Sequence, residues 1–305
     1  MQALLDTIAT LQRPHDAARV FHGRSGRHPG CEALALDAYP PVWLLTSYEP
    51  QTDEALACIG AALQARWDEI APGEPLSWVY QERDEVRASN RLMAGSVPDP
   101  HVVTEDGARY GVHLLRGLNH GLFLDMREGR RWVRGWARQA PGGKVLNLFA
   151  YSCAFSVAAL QGGAAEVHNL DMASGALQLG QRNHALNSLA GGRFLAHDLF
   201  ATWGKLKRLA PFDLVIADPP SYQKGSFVAT KDYARLARRL PELLAPGGHA
   251  LLCLNSPRLD SAFLRETVEA EAPGLRFVER LANPAVYADV DEERSLKVMV
   301  FEQPA

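Results

Sequence analysis

The sequence predicts an α/β protein, with a doubly wound, mostly parallel sheet of about seven strands preceded by a small α+β domain. Three observations carry that expectation. From Val145 onward, short apolar runs alternate with helical segments. One of the runs, Asp213 to Ala217, is almost wholly apolar, as a strand buried on both faces must be. Finally, Lys144 to Asp171, KVLNLFAYSCAFSVAALQGGAAEVHNLD, reads as strand, turn, apolar helix and second strand, ending on an acid. The chain of 305 residues has length for about two domains, and the boundary is expected between residues 118 and 119.

In the first part, residues 1 to 30 begin as a weak helix and pass into RVFHGRSGRHPG, whose Gly, His and Arg content reads as loop. Leu34 to Leu36 and Val42 to Thr46 read as strands joined at a Pro turn. Asp53 to Ile70 has apolar residues at helical spacing (Leu56, Ile59, Leu63, Trp67) and is terminated by APGEP. Leu76 to Tyr80, Val102 to Glu105 and Arg109 to Leu114 complete the strands, with Asp106-Gly107 as a hairpin turn between the last two. GLNHGLFLDMR then bridges into the second part.

Arg127 to Gln139 is predicted helical. Projected at about 100° per residue, Arg127, Arg130, Arg131, Arg134 and Arg138 share one face, and Trp132, Val133 and Trp136 lie opposite. That arginine stripe is either a solvated face or a rim for phosphates. Further on, helices are expected over Phe155 to Leu160, Gly175 to Leu189, Leu199 to Leu209, Tyr233 to Leu244 and Phe263 to Ala270. The interleaved strands are Val145 to Phe149, Val167 to Leu170, Arg193 to Ala196, Asp213 to Ala217, His249 to Leu254, Leu275 to Leu281 and Leu296 to Phe301.

Composition narrows the chemistry. A formal net charge of −3 supplies no global attraction to polyanions, so any nucleic-acid contact has to rest on a local basic surface. The four cysteines, Cys31, Cys58, Cys153 and Cys253, are far apart, which suggests neither a disulfide framework nor a zinc cluster and fits a reduced cytoplasm. No apolar run approaches the roughly 18 to 20 residues of a membrane helix, and the N-terminus has no early basic cluster, so a soluble protein without a metal is expected.

In a doubly wound sheet, ligands sit beyond the carboxyl ends of the strands, so the turn after Phe149 and the acid Asp171 face one crevice. A carboxylate there suits a ribose diol, because it accepts two charge-assisted hydroxyl bonds. The turn NLFAYSCAF lacks GxGxxG, which disfavours a pyrophosphate and hence a nicotinamide-dependent oxidoreductase, and favours an adenosine cofactor without phosphates.

GLFLDMR, KVLNLFAYSCAFSVAA, VHNLDMA, FDLVIADPPSY and LLAPGGHALL resemble, in order and spacing, the class I S-adenosylmethionine-dependent methyltransferases of the bacterial large-subunit ribosomal RNA group, which includes cytosine-C5 and guanine-N7 enzymes. The resemblance covers residues 119 to 305 and implies the Rossmann-like methyltransferase sheet, S-adenosylmethionine as cofactor and RNA, in particular ribosomal RNA, as partner. It places Asp125 and Arg127 at the methionine end of the cofactor, with Asn147, Phe149, Ala150 and Tyr151 as floor. Asp171 then holds the ribose, Met172 packs on adenine and Asp198 accepts from the adenine amino group. Phe149 and Met172 also fit a hydrophobic core, and Asp198 a helix N-cap. The sequence departs from the family at Ser152-Cys153, where Thr-Gly is usual, and a side chain at 153 is expected to narrow the turn or shift it.

Asp218, Pro219, Pro220 and Tyr222 are the expected catalytic residues. Two prolines stiffen the chain beyond a buried strand so that the carboxylate and carbonyls meet a base edge, on which an aromatic ring stacks; a short rigid turn is the plainer alternative. Arg130, Arg131, Arg134, Lys224 and Asn255 are the expected substrate contacts. Methylation at cytosine C5 needs a thiolate, whereas a nitrogen lone pair needs only in-line placement. The family's C5 nucleophile aligns with Asn255, and Cys253, two residues earlier on the same strand face, lies in the apolar run ALLCL as a structural thiol would. The stretch LNSPRLD resembles the corresponding stretch of the guanine-N7 type, so that type is favoured, against a C5 enzyme or a non-catalytic RNA-binding protein of the same fold. The oligomeric state is left open between monomer and homodimer.

Overall fold

The computed structural model of the chain describes residues 1–84, 87–220, 222–223 and 227–305, with the backbone alone at 222–223. The chain forms two units, Met1–Leu124 with Ala285–Val290, and Asp125–Pro284 with Asp291–Ala305.

The first unit contains α1 (Gln2–Ala9), β1 (Ala18–His22), β2 (Leu34–Tyr39), β3 (Val42–Ser47), α2 (Asp53–Ile70), β4 (Ser77–Arg83), β5 (Ala88–Ala94), β6 (His101–Glu105) and β7 (Ala108–Val112). Its five-stranded sheet runs β1-β2-β3-β4-β5, with β3 and β4 parallel and α2 as their crossover. Thr52 caps α2 by accepting from the Ala55 amide at 3.2 Å, and Asp53 and Glu54 favour its N-terminus. Leu56, Ile59, Leu63 and Trp67 form the buried stripe of α2. The Asp106-Gly107 turn between β6 and β7 has φ of 50° and 79°, as a tight hairpin requires.

Two strands of this unit were not expected. RVFH lies in β1 and is no loop: Phe21 is buried, and Arg19 stands opposite Asp37 of β2 in an ion pair with bonds of 2.7 and 2.9 Å. Its arginine serves a cross-strand pair, so composition misstates the conformation. The other is β5, an edge strand whose exposed Ser89, Arg91 and Leu92 leave no apolar alternation to read.

The second unit contains α3 (Arg127–Gln139), β8 (Lys144–Leu148), α4 (Ala154–Gly162), β9 (Glu166–Asp171), α5 (Ser174–Leu186), β10 (Gly192–Ala196), α6 (Leu199–Leu209), β11 (Phe212–Ala217), β12 (Tyr222–Gln223), β13 (Phe227–Val228), α7 (Ala229–Ala237), α8 (Leu240–Leu243), β14 (Leu244–Leu254), α9 (Ser261–Glu271), β15 (Arg276–Leu281) and β16 (Lys297–Glu302). Its seven-stranded sheet has the order β10-β9-β8-β11-β14-β16-β15 and is parallel except for β16, which is antiparallel to both neighbours. This is the α/β sheet the sequence predicts. The order reverses between β8 and β11, where Leu148 stands beside Ala217, so the loops after these two strands leave the same edge together.

Alternation along the strands sorts the two faces. Leu146, Leu148, Val215, Ala217, Leu252 and Leu254 join one buried cluster, while Val145, Leu214, Ile216, Leu251 and Cys253 pack on the other with Val133 and Ala137 of α3 and with α4. Each such fully buried aliphatic side chain stabilises the fold by about 1.5–3 kcal/mol. The expected helix over Tyr233 to Leu244 is two shorter helices, α7 and α8, and β14 starts at Leu244 and runs through APGG.

The arginine stripe on α3 is also corrected. The buried residues are Gly129, Arg130, Val133 and Ala137, and both tryptophans are half-buried at the flank. Small side chains set this contact: a Cβ on Gly162 of α4 would lie 2.5 Å from Arg134 O and 2.7 Å from Ala137 Cβ, so the helices touch almost backbone to backbone. Arg130 is buried as well, within electrostatic reach of Asp218.

Candidate active site

After β8 the chain turns through Phe149, Tyr151 and Cys153 with φ of 56°, 45° and 60°, three non-glycine residues in the left-handed region. Each costs on the order of 1–3 kcal/mol and persists because the surroundings over-determine it. The determinants are visible. The Tyr151 amide donates to Asp171 Oδ2 at 2.8 Å, the Ala150 amide to Leu170 O at 3.0 Å, and Asn183 Nδ2 to Ser152 O at 2.9 Å. Asp171 Oδ1 accepts the Ala173 amide at 2.8 Å. The acid that ends β9 thus fixes the turn that ends β8, and each of its oxygens keeps lone-pair capacity for a further donor. Met172, next to it, is 52% exposed, an apolar side chain presented at the rim.

The other expected cofactor residues divide. Ala150 is buried against Cys153 and Leu177. Phe149 is half-buried, its ring edge-on to Phe227 at 5.3 Å, so the ring belongs to the core behind the turn. Asn147 stands back from the rim: it is 1% exposed and donates to Asn169 Oδ1 at 2.9 Å, while Asn169 donates to Ser156 Oγ at 3.0 Å, a buried amide network that ties β8, β9 and α4 together. Asp198 is the N-cap of α6, accepting from the Ala201 amide at 2.8 Å. Cys153, expected to narrow the turn, is fully buried with Sγ directed at Gly180 of α5.

Asp218 follows β11 on the α3 side. Burial lifts its carboxyl to about 7, the neighbouring Asp125 adds to the rise, and the Arg130 guanidinium opposes it. The structure therefore brings half-buried Asp125 and Asp218 and buried Arg130 into one electrostatic cluster. Cys253 shares it: burial pushes its thiol well above the usual range, and Asp218 and Asp125 push it further. The Tyr233 hydroxyl donates to Cys253 O. Arg130, expected at an RNA-facing rim, is 4% exposed and is a charge partner inside the site. Arg131 is exposed and donates to Glu128 at 2.7 Å, Arg134 donates to Gln161, and Arg127 is half-buried. Pro219 is buried and Pro220 half-buried. Asn255 is exposed just beyond β14. The Tyr222 side chain and Lys224 lie outside the described residues.

One residue escaped the sequence reading. Lys297 is fully buried at the start of β16, and its signal was a lone cation heading the apolar run VMVF. Among the described residues no group of three or more His, Cys, Asp or Glu is placed to hold a metal ion, and no helix is long and apolar enough to cross a membrane.

Residues 18–302 match the family model described as S-adenosylmethionine-dependent methyltransferase. A "Ribosomal RNA large subunit methyltransferase" of Deinococcus radiodurans is 35% identical over 303 residues, covering 94% of this chain and 72% of its own length. A "Ribosomal RNA large subunit methyltransferase K/L" of a Psychrobacter species is 37% identical over 178 residues, covering 55% of this chain, which spans only 21% of that larger protein. A methyltransferase structure containing S-adenosylhomocysteine superposes with a TM-score of 0.80 at 25% identity, covering 99% of this chain and 78% of the other.

Proposed function

Since the chain belongs to the S-adenosylmethionine-dependent methyltransferase family, we propose that it methylates a base nitrogen of large-subunit ribosomal RNA in the cytoplasm, with guanine N7 favoured. Its cofactor is S-adenosylmethionine. The observation that carries the choice of nitrogen is the state of Cys253, a fully buried thiol beside two carboxyl groups, which disfavours the thiolate that C5 chemistry needs.

The residues present fit the cofactor. Asp171 has acceptor capacity for ribose hydroxyls beyond its two amide bonds, and exposed Met172 offers apolar surface to an adenine face. When bound, S-adenosylmethionine supplies an electrophilic methyl group on a sulfonium sulfur. The protein holds the base in line with it. Pro219 and Pro220 fix the chain beyond β11, so Asp218 meets the base edge without reorganisation and accepts from a base N–H. A carboxyl near 7 is also poised to take a proton where the attacking nitrogen carries one. The domain of residues 1–118 is proposed to add RNA contacts, with the exposed Arg131 as a basic contact of the second unit, whereas Arg134 is bonded to Gln161 in the last turn of α4, near the start of β9.

The test is incubation of total RNA from a deletion strain with labelled S-adenosylmethionine and the purified protein, followed by mapping of the modified nucleotide. Label on a guanine N7 of the large-subunit RNA is expected. Label on cytosine C5 overturns the nitrogen assignment, and salt-dependent RNA binding without transfer overturns catalysis.

A further inference from the structure

Lys297 heads β16 opposite Leu254, the last residue of β14, with Val298, Met299, Val300 and Phe301 buried behind it. A fully buried ammonium in such a strand carries a desolvation cost that an apolar side chain would avoid, and here that cost draws its pKa down to about 8. What the ammonium does is geometric. Nζ donates to Ser256 O at 2.7 Å and to Glu293 O at 2.5 Å. The Glu293 carboxylate in turn accepts from Ser261 N at 2.6 Å, Ser261 Oγ at 2.9 Å and Arg280 Nη1 at 2.5 Å. The loop of residues 255–260 is therefore held at its start by Lys297 and at its end by Glu293, and Lys297 grips the backbone of Glu293 as well.

That loop leaves the sheet at the substrate edge. Ala217 pairs with Leu252, so the chain beyond β14 emerges alongside Asp218, Pro219 and Pro220, and its first residue, Asn255, is exposed while Ser256 is buried. A compact ammonium suits the clamp, because its donors converge on carbonyls from a single point. We propose that Lys297 is a positioning residue for substrate recognition, clamping the 255–260 loop so that Asn255 is presented to the target base beside Asp218. The inference rests on the proposed RNA methyl transfer. Lys297 acts through the loop and has no part in holding the cofactor.

The experiment uses the full chain, unmodified 23S ribosomal RNA transcribed in vitro and labelled S-adenosylmethionine. Lys297→Met is expected to lower kcat/KM for the RNA about 10- to 100-fold, through misplacement of the loop, while affinity for S-adenosylhomocysteine stays within about twofold. Lys297→Arg, which keeps a cation with several donors, is expected to recover part of the loss. Asn255→Ala is expected to cost a similar factor, and the double variant Lys297→Met with Asn255→Ala no more than the larger single effect, since both act on one contact. Wild-type kcat/KM in Lys297→Met, an equal loss of S-adenosylhomocysteine affinity, or additive effects in the double variant overturns the proposal. So does failure of both Lys297 variants to fold, because the lysine then serves the fold itself. A wild-type protein that transfers no methyl to the RNA overturns the functional reading, and this inference with it.

Discussion

Asp171 Oδ2 accepts the Tyr151 amide hydrogen at 2.8 Å, so the acid expected to hold a ribose also anchors the turn on which the rest of the cofactor would rest. Both roles end in Asp171→Ala. Each lost charge-assisted bond is worth about 1.5–3 kcal/mol, and the left-handed residues at 149, 151 and 153 lose one of the contacts that hold them. Calorimetric titration with S-adenosylhomocysteine is expected to show no binding by Asp171→Ala and weakened binding by Asp171→Asn. Undiminished affinity in the alanine variant would sink the ribose assignment.

The carboxyl of Asp218 titrates in an unusual window. Burial, with Asp125 adding, lifts it from an ordinary value of 3.8 to about 7, so the folded state binds the proton more tightly than the unfolded chain. Its contribution therefore favours folding at low pH and is lost as pH rises from about 4 to about 7, by a few kcal/mol at most. Asp218→Asn removes that loss. The variant is expected to melt higher than wild type at pH 8 and to lose the advantage near pH 5, while methyl transfer falls about 100-fold as the carboxylate that accepts from the base N–H is lost. A stability difference that does not change with pH contradicts the raised carboxyl of Asp218.

Cys253 lies within the same cluster, and its thiol is held well above the usual range by burial and then by Asp218 and Asp125. Thiolate chemistry demands the opposite environment. Cys253→Ser and Cys253→Ala are expected to retain methyl transfer within about threefold, with a stability cost of about 1–2 kcal/mol for altering a packed site. Complete loss of transfer in either variant, with a native melting profile, would restore the cytosine-C5 mechanism.

How much of this could be read in the chain follows from which forces leave a trace in it. The helix Asp53–Ile70 was legible to its last residue, because an apolar stripe and a breaker mark it. The β-α-β unit was legible because buried parallel strands must be apolar. Arg130 was misread because the α3–α4 contact is made by Gly129, Ala137 and Gly162, whose smallness carries no hydrophobic signal, while the tryptophans that carry most of it sit at the flank. Strand β1 was hidden because its arginine is neutralised by a partner 18 residues away, a pairing that exists only once the register is set.

Cys153 lies in the Ser152-Cys153 turn that is expected to depart from the family pattern, and the structure gives it a partner. Its φ of 60° is a conformation that glycine adopts without cost, so Cys153→Gly relieves backbone strain while deleting a buried Sγ that packs beside Ala150 and Leu177. The two effects oppose each other, and the variant is expected to lie within about 1 kcal/mol of wild type in urea unfolding. Gly180 accommodates the sulfur: a Cβ there would lie 2.3 Å from Cys153 Sγ and 2.9 Å from its Cβ. Gly180→Ala is therefore expected to destabilise by about 1–3 kcal/mol through overpacking, although alanine is the better helix former. Combining it with Cys153→Gly opens the space, and the double variant is expected to recover most of that loss. Since the sulfur points into α5, S-adenosylhomocysteine affinity is expected to stay within about twofold in Cys153→Gly. Tenfold tighter binding by that variant would show that the cysteine narrows the turn after all.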